Sequence, residues 1–468
     1  MSMGSPPHAL VLPYPAQGHV IPLMELSHRL VDLGFAVTFV TTEHTHRQLL
    51  AALPEPPAAA TPTAARSGRL RLVAIPDGLP PGDDRADIGR LTEAIQRAMP
   101  GHLEELIRKT NELGAGAGGG GITCVVADQG MAWALGVAKK MDLRAAAFWP
   151  ASAWMLAIIL SIPKLLEDGI IDQEGRLRGE GEFQLAVGMP AMNHTHLAWN
   201  YCGDAAAQSI MFHYFQSLGR ATESSEFILC NSFPEIEGPV FAYAPRILPV
   251  GPLLAGHRRR GDFSGHFLPQ DPGCAAWLDG QLPGSVIYAA FGSSTVLGRH
   301  QFQELARGLE LSGRPFLWVA RPGLAVGEST PFPEGFEQRV GFRGRVVGWA
   351  PQQEVLAHPG VACFVSHCGW NSAVEGAASG VPFLCWPYFG DQFANRDYIC
   401  GVWGTGLSVA PGGDGVVTAE EIRGKLEALL GNEGIRGRAL LLREAAGRSA
   451  EGGVGCQNLK RFVEAMKA

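Results

Sequence analysis

The 468-residue chain is poor in charge: 18% of its residues are Asp, Glu, Lys or Arg, its net charge is −7 and its pI is near 6.1. A chain so balanced carries no general nucleic-acid or anionic-membrane surface. The one basic knot, Arg258, Arg259 and Arg260, sits between glycines and reads as a solvated linker. Nine cysteines, an odd count, are scattered with no C-x-x-C pair, which argues against a disulfide framework or a zinc site and predicts a reduced, cytoplasmic protein. The opening residues Met1 to Ser5 lack a basic-then-apolar signal pattern, and Ser2 stands where myristoylation needs glycine. No Asp-x-Asp metal clamp occurs. The 19 residues between Arg144 and Lys164 carry no charge and nominally reach across a bilayer. Pro150, Ser152, Ser161 and Pro163 interrupt them, so the expectation is a buried strand, Ala145 to Trp149, followed by a buried helix, with no stable membrane insertion.

Glycine and proline, in contrast, are abundant at 60 and 33 with no strict period, the mark of many tight turns in a globular chain. The length exceeds one ordinary core and calls for two α/β domains. Ala9 to Pro13 reads as a strand, Gln17 to His19 as a loop, Val20 to Leu33 as an amphipathic helix ending near Gly34, and Ala36 to Thr42 as a β-branched strand. That is a βαβ unit with parallel strands and a right-handed crossover. Residues 54–68, rich in Pro and Ala, read as a surface loop. Gly114 to Gly121 reads as a linker: its G-x-G-x-x-G (Gly114, Gly116, Gly119) precedes the strand Ile122 to Ala127, whereas a dinucleotide fingerprint follows a strand and opens a helix. A second series of strands starts at Ser285 and continues through Phe316–Ala320, Arg345–Gly348, Val361–Ser366 and Pro382–Cys385. The predicted organisation is a domain over 1–250, a Gly/Pro/Arg-rich linker over 251–275 and a domain over 276–468, with the last helix packing back on the first domain. Both domains are doubly wound α/β sheets facing across a cleft, with ligands at the carboxyl ends of the strands.

The densest chemistry runs from Trp349 to Gln392. It sets an aromatic plate, Trp349, at a strand end, then a strand, the loop His367-Cys368-Gly369-Trp370, and a helix opening at Asn371-Ser372. A helix N-terminus offers free N–H groups and the positive end of a dipole, a natural seat for a diphosphate. Glu375 lies one helical turn past Asn371 and suits the two hydroxyls of a ribose. Asp391 and Gln392 follow a strand and a bend, and their acceptors and amide suit hexose hydroxyls. Cys363, Cys368 and Cys385 read as structural. A second constellation is His19 with Asp128, both at carboxyl ends of predicted strands: an imidazole poised near neutral pH and a carboxylate to hold its tautomer.

This 44-residue segment, with WAPQ, HPG, HCGWNS, Glu375 and the terminal Asp391-Gln392, resembles the signature box of the plant secondary-product UDP-glycosyltransferases (family 1), whose fold is GT-B. The resemblance runs over the whole chain and includes PAQGHV near the start and LPVGPLL before the linker. It implies that Trp349 stacks on uracil with the Ala350 backbone beside it and Gln352 toward the ribose. It implies that Glu375 binds the ribose, that Ser293, His367, Asn371 and Ser372 hold the diphosphate, and that Trp370, Asp391 and Gln392 surround the sugar. It makes His19 the general base and Asp128 its partner, in an inverting transfer from UDP-glucose to a small hydroxylated acceptor without metal or cofactor. A terminal Gln in the box goes with UDP-glucose more often than with UDP-galactose in this family. Pro150 departs from the polar residue, often Thr, that many relatives carry after the Phe148-Trp149 pair, and removes one expected sugar contact.

For the acceptor, Phe148, Trp149, Met192 and Trp199 head an aromatic and Met-rich supply that suits a flat apolar molecule. A flavonoid or phenylpropanoid phenol is the first expectation, since a phenol near pKa ~10 asks less of a base than an alcohol. A carboxylate, terpenoid or hormone acceptor, and a non-catalytic UDP-sugar-binding protein, are the alternatives. The expected state is a monomer with no nucleic-acid partner.

Overall fold

The computed structural model describes residues 6–53, 68–117, 120–179, 181–201, 204–223, 225–254, 262–327 and 332–467. Nearly all of the Pro- and Ala-rich stretch 54–68, residues 118 and 119 of the glycine tract, and Arg258 to Arg260 lie outside the described residues. The chain forms two units, one of residues 1–175, 205–269 and 452–468, the other of 176–204 and 270–451. Residues 176–204 depart from the division at 251–275 and group with the second unit, while 452–468 group with the first, the domain on which the last helix is expected to pack.

The first unit is built on a seven-stranded sheet of β1 (His8–Leu12), β2 (Ala36–Thr42), β3 (Leu70–Ile75), β4 (Cys124–Asp128), β5 (Arg144–Trp149), β6 (Phe227–Cys230) and β7 (Ile247–Pro249), in the order β3-β2-β1-β4-β5-β6-β7. Every neighbouring pair is parallel. Strands buried on both faces read as continuous apolar runs, and β1 shows why. Ala9 and Val11 join a cluster on one face with Val20, Leu23 and Leu30. Leu10 and Leu12 join another with Ile95, Met99 and Leu103. The terminal helix Val454–Lys467 completes the first cluster with Leu459, Phe462, Val463 and Met466, and Asn458 donates to the carbonyl of Pro249 at 2.9 Å.

Two local expectations are corrected. The first helix spans Gln17–Asp32, three residues ahead of the expected start, because Ala16 supplies no side-chain cap to announce it. Gly114 and Gly116 lie at the end of the helix Ile88–Ala117 instead of in a linker. Its buried row of Leu91, Ile95, Met99, Leu103 and Ile107 anchors the helix, and propagation carries it through two glycines at a cost of about 1 kcal/mol each. The uncharged run resolves into β5 and the buried helix Ala153–Leu160, and among the described residues no helix is long and apolar enough to cross a membrane.

The second unit holds a six-stranded parallel sheet of β8 (Val286–Ala290), β9 (Phe316–Val319), β10 (Gly344–Val347), β11 (Val361–Ser366), β12 (Phe383–Cys385) and β13 (Gly406–Ser408), ordered β10-β9-β8-β11-β12-β13. Phe302, Leu305 and Leu309 of the helix Arg299–Leu311 pack with Ile287, Trp318 and Val365 in its core.

Candidate functional site

In a doubly wound sheet, chain connections diverge where the strand order reverses, and ligands bind at the carboxyl ends there. The first sheet reverses between β1 and β4, the second between β8 and β11. The chemistry-bearing residues collect at these two points.

In the first unit, His19 lies in the first turn of the helix after β1, and Asp128 is the last residue of β4. His19 Nδ1 stands 2.8 Å from Asp128 Oδ2. A carboxylate carries no proton to give, so Nδ1–H donates, and in the neutral ring Nε2 keeps the lone pair. Asp128 is wholly buried and its other oxygen accepts the Gly130 N–H at 2.8 Å, which fixes its orientation. His19 is 35% exposed in its side chain, so imidazole and carboxylate differ sharply in their access to solvent. The Tyr14 ring, 5.3 Å from that of His19, forms one wall, and its hydroxyl is held to Thr92 at 3.0 Å.

In the second unit, the His367-to-Gly369 loop leaves β11 and the helix Trp370–Ser379 begins with Gly369 as its cap, a residue with no side chain to bond the first N–H groups. Those donors therefore point toward whatever occupies the switch point. Cys368 takes a left-handed backbone (φ 64), and its N–H donates to Ser366 Oγ at 3.1 Å, which sets the loop's sharp turn. His367 is wedged between two glycines: a Cβ at either Gly292 or Gly369 would lie 2.5 Å from its Nε2. Burial pushes its imidazole down to about 4, with the Arg321 guanidinium adding to the effect and the Ala290 carbonyl opposing it. His367 is thus a neutral ring near pH 7, fit to exchange a hydrogen bond and not to supply charge.

Around Glu375 the side chains interlock. Gln352 Nε2 donates to Glu375 Oε2 at 2.7 Å and to Ser372 Oγ at 2.8 Å, while its Oε1 accepts from the Tyr288 hydroxyl at 3.1 Å. Gln353 donates to Glu375 Oε1 at 2.9 Å. These bonds orient the Glu375 carboxylate. Ala350 is buried, and the Trp349 carbonyl accepts from the Asp271 N–H at 2.9 Å, pinning the half-buried Trp349 at the end of β10. Ser293 is exposed on the turn after β8, and Trp370 is buried against Trp403 with ring centroids 6.3 Å apart. Gln392 turns its Oε1 onto the N–H groups of Tyr388 and Phe389 at 2.7 and 2.9 Å, which leaves its amide nitrogen as the donor end.

Sequence reasoning passed over three residues that brace this site. Asn395, wholly buried, donates to the Cys368 carbonyl at 2.9 Å and to Asp391 Oδ2 at 3.0 Å, joining the loop after β11 to the helix Gln392–Asp397. Its place one helical turn past Asp391 was a readable signal. Arg321 donates to the Gly292 carbonyl at 2.9 Å and to that of Thr295, so it clamps the turn that carries Ser293, and Tyr288 reaches Gln352 from inside β8. Neither of these two carries a local motif. The proposed acceptor residues are the least coherent set. Phe148, Met192 and Trp199 are fully buried and Trp149 keeps 7% of its surface; the first and last of these lie in the first unit, Met192 and Trp199 in the second. Phe148 packs in the sheet core with Val126 and Leu229, and Trp149 Nε1 donates to the Ser152 carbonyl at 2.6 Å. Among the described residues no group of His, Cys, Asp and Glu is arranged to hold a metal ion.

Residues 271–442 match the family model described as UDP-glucoronosyl and UDP-glucosyl transferase. The chain is 42% identical over 467 residues to UDP-glycosyltransferase 83A1 of Arabidopsis thaliana, covering 99% of this chain and 97% of that one. It is 33% identical over 481 residues to linamarin synthase 1 of Manihot esculenta, covering 99% and 98%. Among solved structures it is similar to a UDP-glucosyltransferase from Polygonum tinctorium capable of glucosylating indoxyl, in complex with 3,4-dichloroaniline. That likeness has a TM-score of 0.81 and 27% identity over all of both chains.

Proposed function

The chain belongs to the plant family 1 UDP-glycosyltransferases, enzymes of GT-B fold that transfer a sugar from a UDP-sugar donor, and from that premise we propose an inverting, UDP-glucose-dependent transfer to the hydroxyl of a small aromatic acceptor. The observation that carries the mechanism is the His19–Asp128 pair at 2.8 Å. With Nδ1–H given to Asp128, Nε2 takes the acceptor's proton as its oxygen attacks the anomeric carbon, and Asp128 stabilises the imidazolium that forms. The bond from the anomeric carbon to the diphosphate oxygen breaks in the same displacement, so an α-linked sugar becomes a β-glycoside. The leaving UDP gathers charge that the N-terminus of the helix Trp370–Ser379 and neutral His367 meet with hydrogen bonds. In this reading Trp349 stacks on uracil, Gln352 and Glu375 take the ribose, Ser293, Asn371 and Ser372 assist at the diphosphate, and Trp370, Asp391 and Gln392 meet the glucose. No metal enters the scheme, because these donors supply the charge stabilisation a metal would give.

A phenol is favoured as acceptor because its low pKa lightens the demand on His19, and the Polygonum relative, named for indoxyl, also takes an aromatic partner. A 30% identical relative from Prunus dulcis, named as an (R)-mandelonitrile beta-glucosyltransferase, favours a second reading, in which a non-phenolic alcohol is glucosylated. The test incubates the purified protein with UDP-glucose, UDP-galactose or UDP-glucuronate against panels of phenols, aliphatic alcohols and carboxylic acids. Product is read by mass and anomeric configuration by NMR. A β-glucoside of a phenol is expected. An α-linked product would overturn the single displacement, and turnover with alcohols or carboxylates but no phenol would overturn the acceptor class.

A further inference from the structure

Three thiols lie close to the helix Gln392–Asp397: Cys368 in the loop after β11, Cys385 at the end of β12, and Cys400 at the centre of the π-turn Tyr398–Val402. Cys400 Sγ is 3.8 Å from Cys385 Sγ. The three differ in two ways that decide their chemistry. Cys368 and Cys385 are wholly buried, whereas Cys400 is half-buried and reaches solvent. Cys385 is in side-chain contact with both Cys368 and Cys400, while Cys368 also directs its thiol to the Ser366 carbonyl at 3.5 Å, which leaves Cys400 as the partner of Cys385 that reaches solvent. We propose that Cys400 and Cys385 are an oxidant-responsive thiol pair, with Cys400 the thiol first modified and Cys385 the one that resolves it into a disulfide.

Reactivity follows thiolate character and access. The contact with Cys385 favours the Cys400 thiolate, as do the charges of Arg396 and Lys425, while burial and Asp397 oppose it; the net shift is downward. Burial drives the Cys385 thiol far up, so it waits protonated. With a hydroperoxide as oxidant, the Cys400 thiolate attacks one peroxide oxygen, the O–O bond breaks, and hydroxide leaves a sulfenic acid. Cys385 sulfur then attacks the Cys400 sulfur, the S–O bond breaks, and the Cys385 proton leaves with that oxygen as water. In sum, two thiols and one hydrogen peroxide give one disulfide and two waters. A disulfide needs sulfurs about 2.05 Å apart, so the pair must close by moving the π-turn, a rare, wide helical turn that is commonly found at functional positions. The segment it would tie at both ends, 385–400, includes Asp391, Gln392 and Asn395. The loss of donor handling expected on oxidation therefore rests on the donor-site reading above, while the disulfide itself does not.

The test separates the two. Trypsin cuts after Arg345, Arg396 and Arg423, which puts Cys363, Cys368 and Cys385 in one peptide and Cys400 in the next. Full-length protein treated with hydrogen peroxide is expected to yield these two peptides joined, two hydrogens lighter than their sum, and separated again by dithiothreitol. The link is expected to vanish in both Cys385→Ser and Cys400→Ser. A link that survives Cys385→Ser, or no link in the wild type, overturns the pair. Glucosyl transfer is expected to drop about tenfold or more on oxidation and to recover with dithiothreitol, with Cys400→Ser changing by less than about twofold. Equal inactivation of Cys400→Ser overturns the role of Cys400. Because the joined peptide needs no turnover, the protein's failure to transfer glucose would leave the thiol assignment tested in full.

Discussion

Gly369 approaches His367 so closely that a single added carbon would meet the imidazole Nε2 at 2.5 Å. The backbone of Gly369 itself is ordinary (φ −59, ψ 143), so alanine fits its conformation and the only penalty is steric. Gly369→Ala is expected to displace the His367 ring, cost about 1–3 kcal/mol of stability and weaken UDP binding by about tenfold or more. Adding His367→Ala removes the clash, so the melting temperature should recover while UDP affinity stays low. Thermal melts and calorimetric titration with UDP read both quantities; wild-type affinity in Gly369→Ala would remove His367 from the diphosphate site.

His19→Ala is expected to lower turnover by ~10²–10⁴ with little change in UDP affinity, because the imidazole serves the acceptor oxygen alone. Asp128→Asn keeps the shape but replaces the oxygen facing Nδ1–H with a group that can present N–H in its place, or flips the ring's tautomer. Its loss should also be on the order of 10² or more, and the double variant should be no worse than His19→Ala, since the two act as a unit. Turnover within about threefold of wild type for His19→Ala would take the base role from it.

Trp349→Ala removes the aromatic plate proposed for uracil. Base–aromatic stacking is worth about 1–3 kcal/mol, so UDP affinity should drop roughly 5- to 150-fold. Because Trp349 also holds Asp271 through its main-chain carbonyl, at 2.9 Å, the truncation leaves that backbone bond in place. Unchanged UDP affinity by calorimetry would place uracil elsewhere.

Much of this was legible before any coordinates, for a physical reason. Strands covered on both faces must be apolar throughout, so β11 was readable to the residue from Val361 to Ser366, and β5 nearly so. Apart from Ser293, the donor-site residues lie within one 44-residue stretch, whose spacing carries the helix terminus, Glu375 and Asn371 together. What sequence could not show is whatever depends on partners distant in the chain. Arg321 clamps a turn 29 residues away and Tyr288 reaches Gln352 across 64, and neither spacing has a period. The three-residue strands β7 and β13 are too short to display alternation, and the first helix, with no side-chain cap from Ala16, carries no start signal to read. The aromatic and Met-rich supply failed as a guide because packing and ligand lining draw on the same residue types; three of its four leading members are buried completely.

Glu237 gives the protein a pH dependence that is independent of the transfer chemistry. Its carboxyl is wholly buried and accepts from the N–H groups of Ala153 and Trp154 at 3.0 and 2.8 Å and from Ser232 Oγ at 2.6 Å. It thereby caps the helix Ala153–Leu160, whose start would otherwise bury unpaired donors. Burial is the larger influence and raises the carboxyl from 4.5 to about 7, against the pull of the three donors. A folded-state value above the unfolded one means that the folded protein holds the proton more tightly. The associated stability is complete below the unfolded value of 4.5 and is lost as pH rises through about 7. At about 1.4 kcal/mol per unit, the loss is on the order of 3 kcal/mol. Glu237→Gln cannot ionise, so between pH 5 and pH 8, a span of about three units, its melting temperature should lose the downward slope that this group gives the wild type. Parallel profiles for the two proteins across that range would show that Glu237 ionises in the fold as readily as in the unfolded chain, with the three donors outweighing burial.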